Sequence, residues 1–364
     1  MRAVRTLLEA DRRDGVPPGY WDGYRLGGCQ AVLGQIPVEA PEIRNLRVMY
    51  VRQGFDAIDR GVIHALEEAA AACIVTQADE MLAQAASVRP DLVLVMNGLH
   101  VFPAEHAAHI DELRAMGIRT AVWFVDDPYL SDETAALALH YDAVFTHELA
   151  GVTLYKELGC RSVHYLPLAA SADLFRPQPV QSPYQYDICF IGNAFWNRVA
   201  LFDDMASFLE GKKVLIAGGF WDRLRHKEKL AACVQHGWID PEETVRYYNG
   251  AKIVINVHRP TEAGLDNRNS RNLAGRSINP RTYEISSCGA FQITDIREDL
   301  TSYYRPGYDI ETFSSKRELQ DKITYYLEHE QERITMAWRS LWTTRKHHTF
   351  RDRISRLLAA AVPL

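Results

Sequence analysis

The 364-residue chain is short of several things. No apolar run approaches the roughly 18 residues of a transmembrane helix, so no segment is expected to span a membrane. The opening stretch, Met1 to Arg12, has neither an apolar core nor a cleavage site, so no signal peptide is read and the protein is expected in the cytoplasm. Cysteine is sparse: Cys29, Cys73, Cys160, Cys189, Cys233 and Cys288 are scattered, with no C-x-x-C pair. That spacing excludes a disulfide scaffold and predicts free thiols. The chain also lacks any excess of positive charge. Lys+Arg number 41 against Asp+Glu 47, a net charge of −6, which argues against general nucleic-acid binding while leaving a local basic face open. Low-complexity segments and residue-level repeats are absent.

What is present is ordinary for a soluble globular protein: 47% apolar and 24% charged residues. At roughly 150 residues per domain the length suggests two domains. Residues 1–45 read as irregular, with two helical turns and then a Pro/Gly-rich stretch. From Leu46 a rhythm sets in. Apolar runs at Leu46–Val51, Cys73–Val75, Leu92–Met96, Thr120–Val125, Ala143–Thr146 and Val163–Leu166 alternate with amphipathic segments near 57–72, 80–87, 104–116 and 150–158. Residues 168–185, with three prolines in Arg176–Pro183, break the pattern and read as a linker. A second series follows: Ile188–Ile191, Val214–Ala217, Ile253–Val257 and Phe291–Thr294, then a long helical tail over 316–358. Short β-branched runs between helices mean βαβ units and parallel, doubly wound sheets. In such sheets ligands bind beyond the carboxyl ends of the strands. The rule selects Asn97, His100, Asp126 and Asp127 in the first half. In the second half it selects Gly192, Asn193, Gly218, Gly219 and His258.

One segment stands out. A loop of about twenty residues, Arg259 to Asn279, holds Arg259, Arg268, Arg271 and Arg276 against only Glu262 and Asp266. It leads into Asn279-Pro280-Arg281-Thr282-Tyr283-Glu284, which reads as a helix capped by Asn279, opened by Pro280 and closed at Gly289. A helix N-terminus with adjacent arginines suits a phosphate, and Glu284, one turn in, suits ribose hydroxyls. The competing reading is a solvated loop with Glu284 paired to Arg281.

The run Asn279–Glu284 with Ser287-Cys288-Gly289-Ala290-Phe291-Gln292-Ile293-Thr294-Asp295 resembles the C-terminal signature of CgeB-like proteins, which look like GT-B glycosyltransferases close to family 4. Tyr186–Asn193 with Asn197-Arg198, Gly237-Trp238-Ile239 with Tyr247–Asn256, Val122–Pro128 and His164–Ala169 extend the resemblance to roughly residues 90–355. It implies an α/β GT-B fold: two Rossmann-like domains facing a cleft, the C-terminal helix crossing back to the first. The expected layout is a first domain over 1–175, a linker over 176–185, a nucleotide-sugar domain over 186–340 and a returning helix over 341–364. It further implies a nucleotide-sugar donor, metal-independent transfer with no cofactor, and a glycan, glycolipid or protein acceptor. Glu284 would bind the ribose, Arg198 and Arg281 the diphosphate, and Gly237 and Trp238 the base. Gly192, Asn193, Gly218, His258 and Asn279 complete the expected donor site. Arg276 stands where family 4 has its first glutamate, a departure that bears on the donor sugar and on anomeric outcome.

Asp126, Asp127 and His100 are the catalytic candidates, set against plainer roles as an Asp-Pro turn and a loop histidine. Trp196, Trp221 and Trp238 read as groove lining or packing. The tail over 316–356 carries ten Lys/Arg and six Asp/Glu, mixed rather than blocky, so a packed returning helix is expected over a membrane-surface one. A non-catalytic sugar-nucleotide-binding protein is the alternative; a structural surface-layer protein is a third, opposed by the basic loop.

Overall fold

The computed structural model describes residues 19–37, 42–264 and 266–362. The helical turns expected before residue 13 lie outside them. Two six-stranded sheets, each wholly parallel, form the frame. The first contains β1 (Arg44–Val51), β2 (Ala70–Thr76), β3 (Leu92–Met96), β4 (Arg119–Phe124), β5 (Ala143–Thr146) and β6 (Val163–Tyr165), in the order β2-β1-β3-β4-β5-β6. The second contains β7 (Tyr186–Ile191), β8 (Val214–Gly218), β9 (Val234–His236), β10 (Ala251–Asn256), β11 (Gln292–Asp295) and β12 (Glu311–Phe313), in the order β12-β11-β10-β7-β8-β9. The strands β9 and β12 are only three residues long, too short for an apolar pattern, and the sequence did not reveal them. The order reverses between β1 and β3 in one sheet and between β7 and β10 in the other, opening a crevice at the strand ends.

Both faces of each sheet are buried, as continuous apolar strands such as Leu92–Met96 require. One face of the first sheet packs Val48, Leu94 and Trp123 against Leu66 of the helix Asp56–Ala69 and against Phe350, Ile354 and Leu357 of the last helix, Phe350–Ala361. The C-terminal helix thus completes the core of the first domain. The expected long tail is three helices, Lys316–Glu328, Glu330–His347 and Phe350–Ala361. The last break is set by Thr349, whose hydroxyl and backbone N–H form a capping box with Asp352. Buried Arg353 then ties the turn together by donating to the carbonyls of Pro167, Leu168 and His347.

Residues 19–34, expected to be irregular, are a helix lying on the second domain. Arg25 donates to the carbonyls of Gly289 (3.2 Å) and Asn249 (3.0 Å), and Trp338 Nε1 donates to the Arg25 carbonyl (2.9 Å). A side chain at Gly28 would occupy the Trp338 ring, so only glycine lets this helix approach. All six cysteines are free thiols, with Cys29, Cys189 and Cys288 buried. No helix among the described residues is long and apolar enough to cross a membrane.

The returning helix makes a stability prediction. Leu357 is fully buried between the helix Asp56–Ala69 and the first sheet. Leu357→Ala should cost about 2–5 kcal/mol in urea unfolding followed by circular dichroism. A loss under about 0.5 kcal/mol would show that the crossing helix is not part of that core.

Candidate functional site

The crevices of the two sheets meet in one cleft of about 360 Å³, within the range of small-molecule sites. The second domain supplies Gly192, Asn193, Arg198, Gly218, Trp238, Arg259, Asn279, Arg281 and Glu284; the first supplies Phe55, Asp126, Tyr129 and His147.

The cleft's main feature is the N-terminus of the helix Pro280–Ser287. Asn279 caps it, its Oδ1 accepting from the Thr282 N–H at 3.1 Å. Asn279 and Asn256 exchange side-chain bonds at 2.9 and 3.1 Å. The Asn279 backbone N–H donates to His258 Nε2 at 2.9 Å. That nitrogen therefore carries the lone pair, and Nδ1 carries the proton given to Asp295 at 2.6 Å. His258 is buried and absent from the cleft wall. Expected as a donor contact, it is instead a strut holding the helix cap.

The side chains of Arg281 and Glu284 stand on the cleft wall without a hydrogen bond or ion pair among the described residues. The competing surface pair between them is not formed. Burial pushes the Glu284 carboxyl up to about 7, only partly countered by the Arg281 charge.

Arg198 differs from expectation. It lines the cleft, but it is 2% exposed and spends its donors on backbone: Nε and Nη2 on Val257 O (3.0 and 2.6 Å), Nη1 on Asn193 O (2.8 Å). It fastens the ends of β7 and β10 across the switch point, giving two donors to the Val257 carbonyl and a second donor to the Asn193 carbonyl, which also accepts from the Phe195 N–H at 2.9 Å. Burial, then the charge of Arg281, lowers its pKa to about 9. It was expected to hold the diphosphate; its donors are spent on backbone instead, and it is an internal brace. Gly218 has φ +139°, and any side chain there would collide with the Gly192 carbonyl. Gly219 N–H donates to Asn193 Oδ1 at 3.0 Å, and Trp221 Nε1 to Gly192 O at 3.1 Å. Trp221 is therefore core, Trp196 is exposed beneath Arg223 and off the cleft wall, and Trp238, 79% exposed, overhangs the cleft after Gly237 (φ +98°).

The basic loop turns most of its arginines away from the cleft. Arg268 pairs with Glu133 and Arg276 with Glu298. Only Arg259 reaches the cleft, held between the rings of Tyr129 and Phe195 (4.5 and 4.3 Å). The loop instead docks on the first domain. Glu148 accepts from the N–H groups of Arg276 (3.0 Å) and Ser277 (3.2 Å), Ser131 donates to Asn269, and Ser270 to Asp132. Burial pushes Glu148 up to about 7 in turn, although three backbone N–H donors oppose the shift.

On the first-domain wall, Asp126 remains a candidate. Its Oδ2 accepts from Asn97 Nδ2 (2.7 Å) and meets His100 Nε2 at 2.9 Å. Burial would raise its pKa, but the His100 and Asn97 bonds and the Arg259 charge outweigh it and hold it below the usual value. His100 lies behind Asp126 rather than on the cleft wall, and its own pKa is raised by that bond. Asp127 is sequestered. Thr134, Thr146 and Tyr155 all donate to its carboxylate at 2.6–2.9 Å inside the domain, so it is a structural group and not a cleft base. The sequence reading missed Arg259 as a wall residue, Glu148 as the loop's anchor and His147 altogether. The strand-end rule applied to β5 would have selected His147 and Glu148.

Glu284 gives the site a pH signature. Its folded value, about 7, exceeds the ordinary 4.5. Its stability contribution is therefore full below about pH 4.5 and is lost as pH rises through 7. Glu284→Gln should match the wild type near pH 4 and be more stable near pH 8, by up to about 3 kcal/mol. Melting curves across that range check this; a constant difference would place Glu284 in solvent.

Comparison with known proteins agrees with this architecture. A family model described as "Glycosyl transferase-like" matches residues 198–359. Spore protein CgeB of Bacillus subtilis is 28% identical over 328 residues, covering 88% of this chain and 100% of that one. Among solved structures, Anabaena HepE in complex with UDP and glucose superposes with a TM-score of 0.60 at 11% identity, covering 86% of this chain and 100% of that one. Sucrose-phosphate synthase from Thermosynechococcus elongatus gives 0.57 at 12% identity, covering 86% and 98%. The chain is thus CgeB-like over most of its length, has the GT-B fold, and carries a glycosyl transferase-like second half.

Proposed function

We propose that the protein is a glycosyltransferase that moves a sugar from a nucleoside-diphosphate donor to an acceptor hydroxyl on a glycan, lipid or protein. One observation carries this reading: a capped helix N-terminus faces the cleft with a free arginine and a free carboxyl one turn apart. The diphosphate would meet the first N–H groups of that helix and Arg281, with Arg259 nearby. Glu284 would accept from the ribose hydroxyls, which also supply the partners its carboxylate lacks. The flat face of Trp238 and the backbone at Gly237 would border the base. Asp126, kept ionised and therefore a poor base, suits the positive charge that grows on the sugar ring as the bond breaks. His100 and Asn97 orient it. The UDP and UDP-glucose in the HepE crystals make those compounds sensible first probes.

Transfer should need no metal, because a helix dipole and arginines take the leaving charge. Release of nucleoside diphosphate from UDP-, GDP- or dTDP-sugars should persist in EDTA. Activity lost in EDTA and regained with Mg²⁺ or Mn²⁺ would overturn that part. Glu284→Ala should weaken UDP binding by about tenfold or more, since hydrogen bonds to a charged group contribute about 1.5–3 kcal/mol. An unchanged Kd in calorimetry would remove the ribose contact. Arg281→Lys should lower kcat by about 10²-fold with a smaller change in donor Kd, because a lysine cannot grip two phosphate oxygens at once. Wild-type kinetics in that variant would take Arg281 out of the site. Failure of every nucleotide sugar to bind would sink the reading as a whole.

A further inference from the structure

Tyr129 has no part in the reading above. It sits in the turn after β4, and both domains hold its backbone. Its N–H donates to Asp126 O at 2.8 Å, and its carbonyl accepts from the Arg268 N–H of the second-domain loop at 2.8 Å. The side chain is partly buried and lines the cleft wall. Its ring lies against the Arg259 guanidinium at 4.5 Å, with Phe195 on that group at 4.3 Å. The phenol has no hydrogen-bond partner among the described residues. Burial raises its pKa, and the charges of Arg297, Arg198 and Arg259 oppose the shift, so the oxygen keeps its proton at neutral pH.

The groups around this phenol do not supply an acceptor. Guanidinium groups carry donors only. Glu148, whose charge also acts on the phenol, already accepts from the N–H groups of Ala150, Arg276 and Ser277. Asp126 is satisfied by Asn97 and His100, and Asp295 is engaged with His258 and Arg297. Arg259 spends Nε on Asn267 and Nη2 on the Asp266 carbonyl, which leaves Nη1 open among the described residues. A hydroxyl and open guanidinium groups on one cleft are donors that lack the same thing, an anion. We infer that Tyr129 is a catalytic residue of the transfer proposed above, on which this inference rests: its phenol donates a hydrogen bond to the diphosphate oxygen from which the sugar departs.

In the step, the bond between the anomeric carbon and the diphosphate oxygen breaks, and its electron pair stays on that oxygen. A pair on the acceptor oxygen forms the new bond to the carbon, and the acceptor proton leaves to solvent. The Tyr129 proton stays on Tyr129, because a phenol is a far weaker acid than a phosphate. Its hydrogen bond strengthens as charge arrives on the departing oxygen, so it lowers the barrier more than it tightens donor binding. Tyr129 belongs to the first domain, and Arg281 and the helix end belong to the second. The leaving oxygen is thus held from both walls, and the Tyr129 ring keeps Arg259 in place beside it.

The test uses the full chain and Tyr129→Phe, which keeps the ring against Arg259 and removes only the hydroxyl. Calorimetry gives the Kd of UDP and of UDP-glucose, and nucleoside diphosphate release with water as acceptor gives turnover. GDP with GDP-mannose, or dTDP with dTDP-glucose, replaces that pair if UDP-glucose is not bound. UDP carries on its terminal phosphate the charge that the leaving oxygen gains; UDP-glucose does not. Tyr129→Phe should therefore lower kcat by about 10–10²-fold and weaken UDP by about tenfold, with UDP-glucose affinity kept within about threefold. Its melting temperature should stay within about 2 °C of the wild type. Tyr129→Ala, which also takes the ring from Arg259, should be slower still. Wild-type kcat and UDP affinity in Tyr129→Phe overturn the assignment while leaving the glycosyltransferase reading intact. So does a loss confined to Tyr129→Ala, which would make the ring a mere support for Arg259. Equal weakening of UDP and UDP-glucose overturns it too, since the hydroxyl would then touch the ground state alike. UDP binding by the wild type with no turnover of any donor overturns the glycosyltransferase reading and this step with it.

Discussion

The structure is organised around holding one helix end still. The helix Pro280–Ser287 presents its positive terminus to the cleft only because Asn279 is fixed on every side: by its own cap bond to Thr282, by the reciprocal pair with Asn256, and by His258 backed by Asp295. The other end is held as well. Arg25, from the first described helix, covers carbonyls that the helix termini at Asn249 and Gly289 would leave bare. A terminus that does not reorganise when charge appears can stabilise that charge strongly, whereas a mobile one first has to be ordered.

The same economy explains where the arginines go. A basic loop in sequence looks like an anion trap, yet two of its four arginines are taken up by Glu133 and Glu298. Its backbone N–H groups are taken by Glu148 and Asp132 of the first domain. The loop is a clasp between domains, and its last clasped residue, Ser277, lies two residues before the helix cap. Orientation of the first domain and position of the cleft-facing helix are therefore mechanically linked through Glu148. Arg198 is likewise a brace, because its one guanidinium joins the Val257 and Asn193 carbonyls across the switch point.

The two walls of the cleft carry opposite electrostatic settings. On the second domain, Glu284 is left without partners and shifted up, while Arg281 stays free. On the first, Asp126 is supplied with two donors and shifted down. The same chemical group, a carboxyl, is prepared to take a proton or hydroxyl contacts on one wall and to remain a fixed anion on the other. The difference comes from the neighbours, not from the residue.

Periodicity was enough to reveal both parallel sheets, because buried βαβ strands are apolar runs that local sequence cannot disguise. Asn279, Pro280 and Gly289 likewise marked the helix bounds, since each residue type meets a backbone demand of its own position. The strand-end rule placed Asp126, Gly192, Asn193 and Gly218 at the cleft for a topological reason. The sequence could not say which way a strand-end side chain turns. Asp126 and Asp127 are adjacent, yet one faces the cleft and the other faces Thr134, Thr146 and Tyr155, contacts that exist only after the domain closes. Nor could it distinguish an arginine for a ligand from one for the backbone: Arg198 and Arg281 look alike in the chain, and only the reversal of strand order at β7 and β10 gives Arg198 two carbonyls to hold. His147 went unseen because its burial at the end of β5 is decided by tertiary packing alone.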